Sequence, residues 1–208
     1  MTSRETNSQV EKSILPVDFY KESAIQTAKM LIGKYLIRIF NGKRLVGIIL
    51  ETEAYDGEHD QACHARTGRT QRNAAMYGPP GHAYIYFTYG MHWMLNCVTG
   101  SEGYPAAVLI RTILPIEGLD VIAKRRKGIP KKHWCDGPAK LTKALAIDGI
   151  LNNANLCSND SGLFIERGII IKDQWIKRTP RIGINFASEP WRSKLWRFIA
   201  VLPEEWRL

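Results

Sequence analysis

The 208-residue sequence predicts a single α+β domain built on a mostly antiparallel sheet. Three observations predict it. Asn41-Gly42, a strong hairpin-turn signal, separates two β-rich runs at 35–40 and 45–50. Gly90 separates a second such pair at 83–89 and 91–99. Helical apolar spacing is confined to a few segments, such as 18–32, where Ile25, Ala28 and Ile32 recur before Gly33.

The elements follow in order. The strand at 45–50 runs straight into Glu51-Thr52-Glu53-Ala54-Tyr55, so these side chains stand at the end of a rigid scaffold. Residues 57–73 are polar, carry Arg66, Arg69 and Arg72, and read as a long loop of the kind that often has a function. Gly78-Pro79-Pro80-Gly81 resets the chain. Along 83–89, Tyr84 and Tyr86 share one face, and Ile85, Phe87 and Tyr89 the other. Residues 106–113 form a further strand with Arg111 in it. Pro115 is expected to open a helix that ends before Gly128, and Gly137-Pro138 to open another with Leu141 and Leu145 four apart. Short apolar segments at 163–165, 169–171, 182–186 and 198–202 complete the chain. Residues 1–12 are polar and aperiodic, which predicts a disordered tail before a domain at 13–208.

Composition narrows the function. A hydrophobic fraction of 45% is ordinary for a globular chain. The net charge of +9 favours a polyanionic partner, most commonly nucleic acid, over a merely solvated basic surface. Cys63, Cys97, Cys135 and Cys157 lack the short spacings of metal or redox motifs, so reduced thiols in an intracellular protein are expected. No apolar run is long enough for a bilayer, and no membrane association is expected.

The side chains that could carry chemistry gather around the two hairpins. Glu51 and Glu53 share a face if the strand continues, and only one is needed to activate a water; solvated strand-end acids are the competing reading. Asp56, Glu58 and Asp60 add acidity nearby, and His59, Cys63 and His64 raise zinc, yet no second ligand pair is evident. No metal or cofactor is expected. Tyr55, His64, Tyr84, Tyr86 and Tyr89 could stack on a flat base, or be ordinary half-buried strand aromatics. Tyr89 stands at a predicted hairpin tip with little core to join, which suits a wedge for DNA. Arg111 in an apolar strand needs a partner, either a structural acid or Glu53 and its water. Asn96, polar in an apolar strand, is held by backbone or faces a ligand. Gly137-Pro138-Ala139-Lys140 sets free amides and a lysine at a helix start, a contact for phosphate.

Taken together, these motifs resemble the alkyladenine (3-methyladenine) DNA glycosylase family, which includes the human enzyme. The resemblance is carried by Leu31-Ile32-Gly33-Lys34, Glu51 to Tyr55, His64, Arg72-Asn73, Tyr84 to Met91, Asn96, Leu109-Ile110-Arg111, Gly137 to Leu141 and Arg181-Ile182-Gly183, which span about residues 16 to 200. It implies a curved, mostly antiparallel sheet with a protruding β-hairpin, flanked by helices. It also implies an enzyme that flips a damaged purine out of double-stranded DNA and hydrolyses its N-glycosidic bond, leaving an abasic site. By position, Glu53 is then the general base, and Arg111 and a backbone carbonyl near Ile182 hold the water. Tyr55 stacks on one face of the base, with His64 and Tyr86 on the other side. Asn96 crowds the place of guanine's amino group, and Tyr89 fills the gap left in the helix. Arg69, Arg72 and Lys140 are expected on the DNA backbone.

The chemistry is consistent with that assignment. Alkylated purines such as 3-methyladenine are cationic and leave readily. An aromatic box favours a cation by roughly 1–2 kcal/mol when desolvated. No lysine stands in the motif as an amine nucleophile, so a monofunctional enzyme without a lyase step is expected. The loop at 66–73 is one residue shorter than in the human member, and 77–80 differs; both bear on base preference. A monomer is expected, in the cytoplasm of a bacterium or the nucleus of a eukaryote. Two alternatives use the same residues: a non-catalytic binder of damaged nucleic acid, and a metal-dependent nuclease built on the acids of 51–60.

Overall fold

Both hairpins read from the sequence belong to one sheet. A computed structural model describes residues 13–201, so the expected tail at 1–12 lies outside the described residues. The strands are β1 (Tyr35–Phe40), β2 (Lys43–Asp56), β3 (Ala83–Thr88), β4 (His92–Val98), β5 (Ala106–Glu117), β6 (Leu163–Glu166), β7 (Ile176–Thr179) and β8 (Arg197–Ala200). The sheet runs β3-β4-β5-β2-β1-β6, with β8 paired to both β2 and β7, and every pairing is antiparallel. Among the described residues four α-helices accompany it: α1 (Val17–Tyr20), α2 (Ala24–Met30), α3 (Leu119–Arg125) and α4 (Pro138–Ala144). This is the expected α+β architecture.

β2 is far longer than the apolar run at 45–50. Its first half pairs with β1, almost its whole length pairs with β5, and Glu51 to Glu53 also pair with β8. Partners on both edges supply the backbone hydrogen bonds that carry the strand through its polar stretch. A register shift at Ile49 to Thr52 marks a bulge there, which bends the strand where the acids begin. On one side of the sheet, Leu36, Ile49, Ala54, Val108 and Ile110 pack with Ala24, Ala28 and Leu31 of the α2 segment and with Leu141 and Leu145 around α4. Thr52 Oγ1 donates to Ala28 O at 2.8 Å and ties α2 to the centre of β2.

Two readings differ from the structure, each for a local reason. The helix expected over 18–32 is split into α1 and α2, because Ser23 caps α2 by accepting from Gln26 N at 3.2 Å. Pro115 opens no helix; it stays in β5 opposite Gly47, next to a register shift that spares the missing N–H. The helix begins instead after Gly118, whose φ is +70 and where a Cβ would meet Leu45 at 2.3 Å. Residues 169–171 and 182–186 join no strand.

The β3–β4 hairpin projects from the sheet edge through residues 89–91, with Tyr89 and Gly90 both left-handed. Phe87, Tyr89 and Met91 are exposed along it. The loop at 57–73 contains one 3-10 turn, His64–Thr67. Asn73, buried beneath it, donates to His64 O at 3.0 Å and Gly68 O at 2.9 Å, and accepts from Thr70 N at 2.7 Å. One amide therefore fixes the loop that delivers His64.

Candidate active site

A single row crosses five strands: Tyr84 opposite Asn96, Asn96 opposite Leu109, Leu109 opposite Glu53, and Glu53 opposite Arg197. Residues in one row share a sheet face, and so do residues two further along each strand. Tyr55, Tyr86, Met94 and Arg111 therefore join the same face. They line a cavity of about 350 Å³ together with His64, Met76, Tyr84, Asn96 and Leu109, and Ile182 closes it from outside the sheet.

Glu53 is fully buried and is reached from this cavity through three of its lining residues. Its Oε1 accepts from the Ile182 amide at 2.8 Å. Its Oε2 accepts from Tyr55 OH at 2.8 Å and from Arg111 Nη1 at 3.2 Å. A carboxylate offers about four lone-pair sites, so three are committed and one on Oε1 remains for a further donor such as water. Burial pushes the Glu53 carboxyl above its ordinary range, against the opposing pull of Arg111, the Ile182 amide and the Tyr55 hydroxyl. Burial also holds the Tyr55 hydroxyl protonated, so it stays a donor.

Glu51 behaves differently. It accepts from Arg111 Nε at 2.8 Å, Arg197 Nε at 2.6 Å and Thr112 Oγ1 at 2.7 Å. Burial pushes its carboxyl up, but the Thr112 hydrogen bond and the two arginines outweigh that and hold it below the ordinary range. Glu51 anchors Arg111, and Arg111 reaches on to Glu53. Environments that drive two nearby carboxyls apart are a recurring sign of distinct roles.

The aromatic box has defined geometry. The His64 and Tyr86 rings meet edge to face at 4.5 Å, and His64 Nδ1 lies 2.8 Å from Tyr84 OH. Burial, followed by the charges of Arg72 and Arg66, pulls His64 down to about 4, so the ring is neutral at physiological pH. Asn96 Nδ2 donates to Tyr84 O at 2.9 Å, and the residue lines the cavity. Tyr89 lines it as well, contrary to the face predicted from alternation. The strand ends at Thr88, and the left-handed backbone at Tyr89 turns its ring, 82% exposed, to the cavity side.

The basic residues are not gathered at one point. Arg72 donates to Phe87 O at 3.3 Å and lies over the Tyr86 ring at 5.5 Å. Arg69 is exposed and lies over Tyr77 at 5.5 Å. Lys140 pairs with Asp136 at 2.8 Å and lines a second, wider groove of about 1010 Å³, beside Arg38, Arg125 and Lys143. The two hollows meet at Pro138. Ile182 contributes its amide to Glu53.

Sequence reasoning missed the pair Asp60 and Arg181, both buried and bonded to each other in bidentate fashion. Asp60 had read as one of several loop acids, and Arg181 only as part of a motif. Phe186, 62% exposed at the cavity mouth with the Arg66 guanidinium 4.8 Å from its ring, gave no sequence signal. Among the described residues no three His, Cys, Asp or Glu side chains converge to hold a metal ion.

Comparison with known proteins gives the family. The family model for methylpurine-DNA glycosylase (MPG) matches residues 18–202. A protein of Carboxydothermus hydrogenoformans with the provisional name 3-methyladenine DNA glycosylase is 47% identical over 180 residues, covering 86% of this chain and 93% of its own. Proteins with the same provisional name from Methanocella arvoryzae and Chlorobaculum parvum are 46% and 41% identical; they cover 86% and 91% of this chain, and 90% and 88% of their own.

Proposed function

Because the chain belongs to the methylpurine-DNA glycosylase family, we propose that it excises alkylated purines such as 3-methyladenine from double-stranded DNA. A purine flipped out of the duplex enters the cavity between Tyr55 and the His64–Tyr86 pair. Glu53 accepts a proton from a water as that water attacks the sugar carbon, and its negative charge stabilises the developing sugar cation. Arg111 holds the carboxylate in place and keeps it ionised. The N-glycosidic bond breaks, the base leaves with its electron pair, and an abasic site remains. No strand cleavage follows.

The observation that carries this reading is a fully buried carboxylate bonded to three residues that line an aromatic cavity, Tyr55, Arg111 and Ile182, with one lone pair to spare. The neutral state of His64 supports it further, because an imidazolium would repel a cationic base. Asn96, held to backbone, is placed to exclude guanine's amino group. Tyr89 at the hairpin tip enters the gap left in the duplex, and Arg69, Arg72 and Lys140 contact its phosphates. The enzyme acts as a monomer inside the cell, where its DNA is.

Glu53→Gln tests the reading. Release of free 3-methyladenine from methylated duplex is expected to fall by about a thousandfold or more, with DNA affinity within a few-fold of the original. Excision at the original rate by the variant would remove Glu53 as the base. Adding EDTA in the same assay separates this hydrolysis from a metal-dependent nuclease, whose activity it would stop.

A further inference from the structure

We propose that Asp60 and Arg181 are a positioning pair for the general base, fixing the one peptide N–H that anchors Glu53. The inference rests on the reading of Glu53 as the base.

Its geometry begins with the Asp60 carboxylate, which is fully buried and accepts four hydrogen bonds. Oδ1 takes Ala62 N at 3.0 Å and Arg181 Nη2 at 2.8 Å; Oδ2 takes Asp56 N at 3.3 Å and Arg181 Nη1. Arg181 Nη1 also donates to Ala54 O at 2.8 Å, the carbonyl between Glu53 and Tyr55. The guanidinium lies 4.8 Å from the Tyr55 ring and 5.0 Å from the Trp196 ring. The next residue along the chain, Ile182, then presents its N–H to Glu53 Oε1.

The segment at 180–187 joins no strand, so no sheet ladder sets the position of that N–H. Ile182 itself is 48% exposed and cannot be located by core packing. Ile184 and Ala187, buried with Ala62, hold the far side of the segment, and the ion pair is the fixed point next to the amide. It is a costly fixed point. Two charges are removed from water, and Arg181 Nε finds no acceptor among the described residues. Apolar replacements of such pairs are often as stable, so stability alone does not account for it. Placement does: the pair grips β2 at Ala54, the loop at Ala62 and the backbone of residue 181 together.

The Ile182 amide favours the ionised form of Glu53. If the pair is removed, that hydrogen bond loosens and Glu53 takes up its proton at higher pH. Of the other groups facing Glu53, Arg111 from β5, Glu51 from β2, Arg197 from β8 and Tyr86 from β3 are unchanged, while Tyr55 from β2 loses the guanidinium beside its ring, a contact that a change at Ile182 leaves in place.

The test is single-turnover excision of 3-methyladenine across pH, by the wild type, Glu53→Gln, the double variant Asp60→Asn with Arg181→Gln, and Ile182→Pro. The double variant removes both charges together, so neither is left buried alone. Ile182→Pro deletes the N–H at a half-exposed site and leaves both charges of the pair, while also replacing a side chain at the cavity and restricting the Arg181 backbone. The acid limb of the rate profile is expected to move up by about one pH unit in the double variant and in Ile182→Pro. KM for duplex is expected to change less than about threefold. A limb at the wild-type position in a folded double variant, or a rate lowered equally at every pH, overturns the proposal. If the double variant does not fold, an unmoved limb in Ile182→Pro overturns it equally. Wild-type excision by Glu53→Gln sinks the base assignment instead, a separate failure.

Discussion

Glu51 and Glu53 stand two residues apart on β2, yet their surroundings drive their carboxyls in opposite directions. For Glu53 the folded state binds its proton more tightly than the ordinary value of 4.5 implies. Its contribution to stability is therefore full below 4.5 and is lost as pH rises through the raised value. Glu53→Gln escapes that loss, and Arg111 keeps Glu51 as a partner. The variant is expected to melt at or above the wild-type temperature at neutral pH while excision is abolished, a separation of stability from activity. A melting point several degrees lower, by calorimetry, would contradict the sign. His64 has the reverse linkage. Its folded value of about 4 lies under the ordinary 6.5, so stability is whole above 6.5 and declines as pH falls towards 4. NMR titration of the imidazole should give a midpoint near 4; one near 6.5 would mean a solvated ring that turns cationic against a cationic base. At this scale the residues read by themselves marked Glu53, Arg111 and Asn96 as candidates, and only the family resemblance ranked the two acids. The ranking depends on Thr112 and Arg197, which arrive from other strands.

At the scale of elements, the site is made from pairs two apart on neighbouring strands: 53 and 55, 84 and 86, 94 and 96, 109 and 111. Those pairs are legible, because strand alternation is local. Their register is not, because it depends on a bulge in β2 and on the turn of each hairpin. Alternation also misled where it ended: Tyr89 changes face once its backbone leaves the strand. The same locality explains the helix expected at 18–32, where one serine cap outcompetes a periodic pattern. The hairpin itself leads to a prediction. Tyr89 is 82% exposed and packs on no core, so Tyr89→Ala should change stability by less than about 0.5 kcal/mol. Excision from duplex should nevertheless fall at least about tenfold more than excision from single strands, which have no gap to fill. Equal losses on both substrates, measured side by side, would remove the ring from the duplex.

At the scale of the molecule, the sheet turns one face to helices and the other to the cavity. The net charge of +9 was read as a sign of a polyanionic partner, but charge alone says nothing of which cations are free to meet it. The structure separates them. Lys140 is held by Asp136 at 2.8 Å, and Asp136 also takes His133 at 2.7 Å. No ion pair joins Arg69 to an acid among the described residues; its guanidinium rests on Tyr77. A cation that meets a phosphate releases the counterions condensed there, and each such contact adds about 0.9 to the slope of log affinity against log salt. Arg69→Ala is therefore expected to lower the slope for undamaged duplex by about one. Lys140→Ala should lower it by clearly less, since Lys140 must first leave Asp136 or bring that negative charge to the DNA. Binding isotherms at several salt concentrations measure both. If the two variants lower the slope equally, the Asp136 pair gives way at no cost when DNA binds, and Lys140 counts as a full phosphate contact.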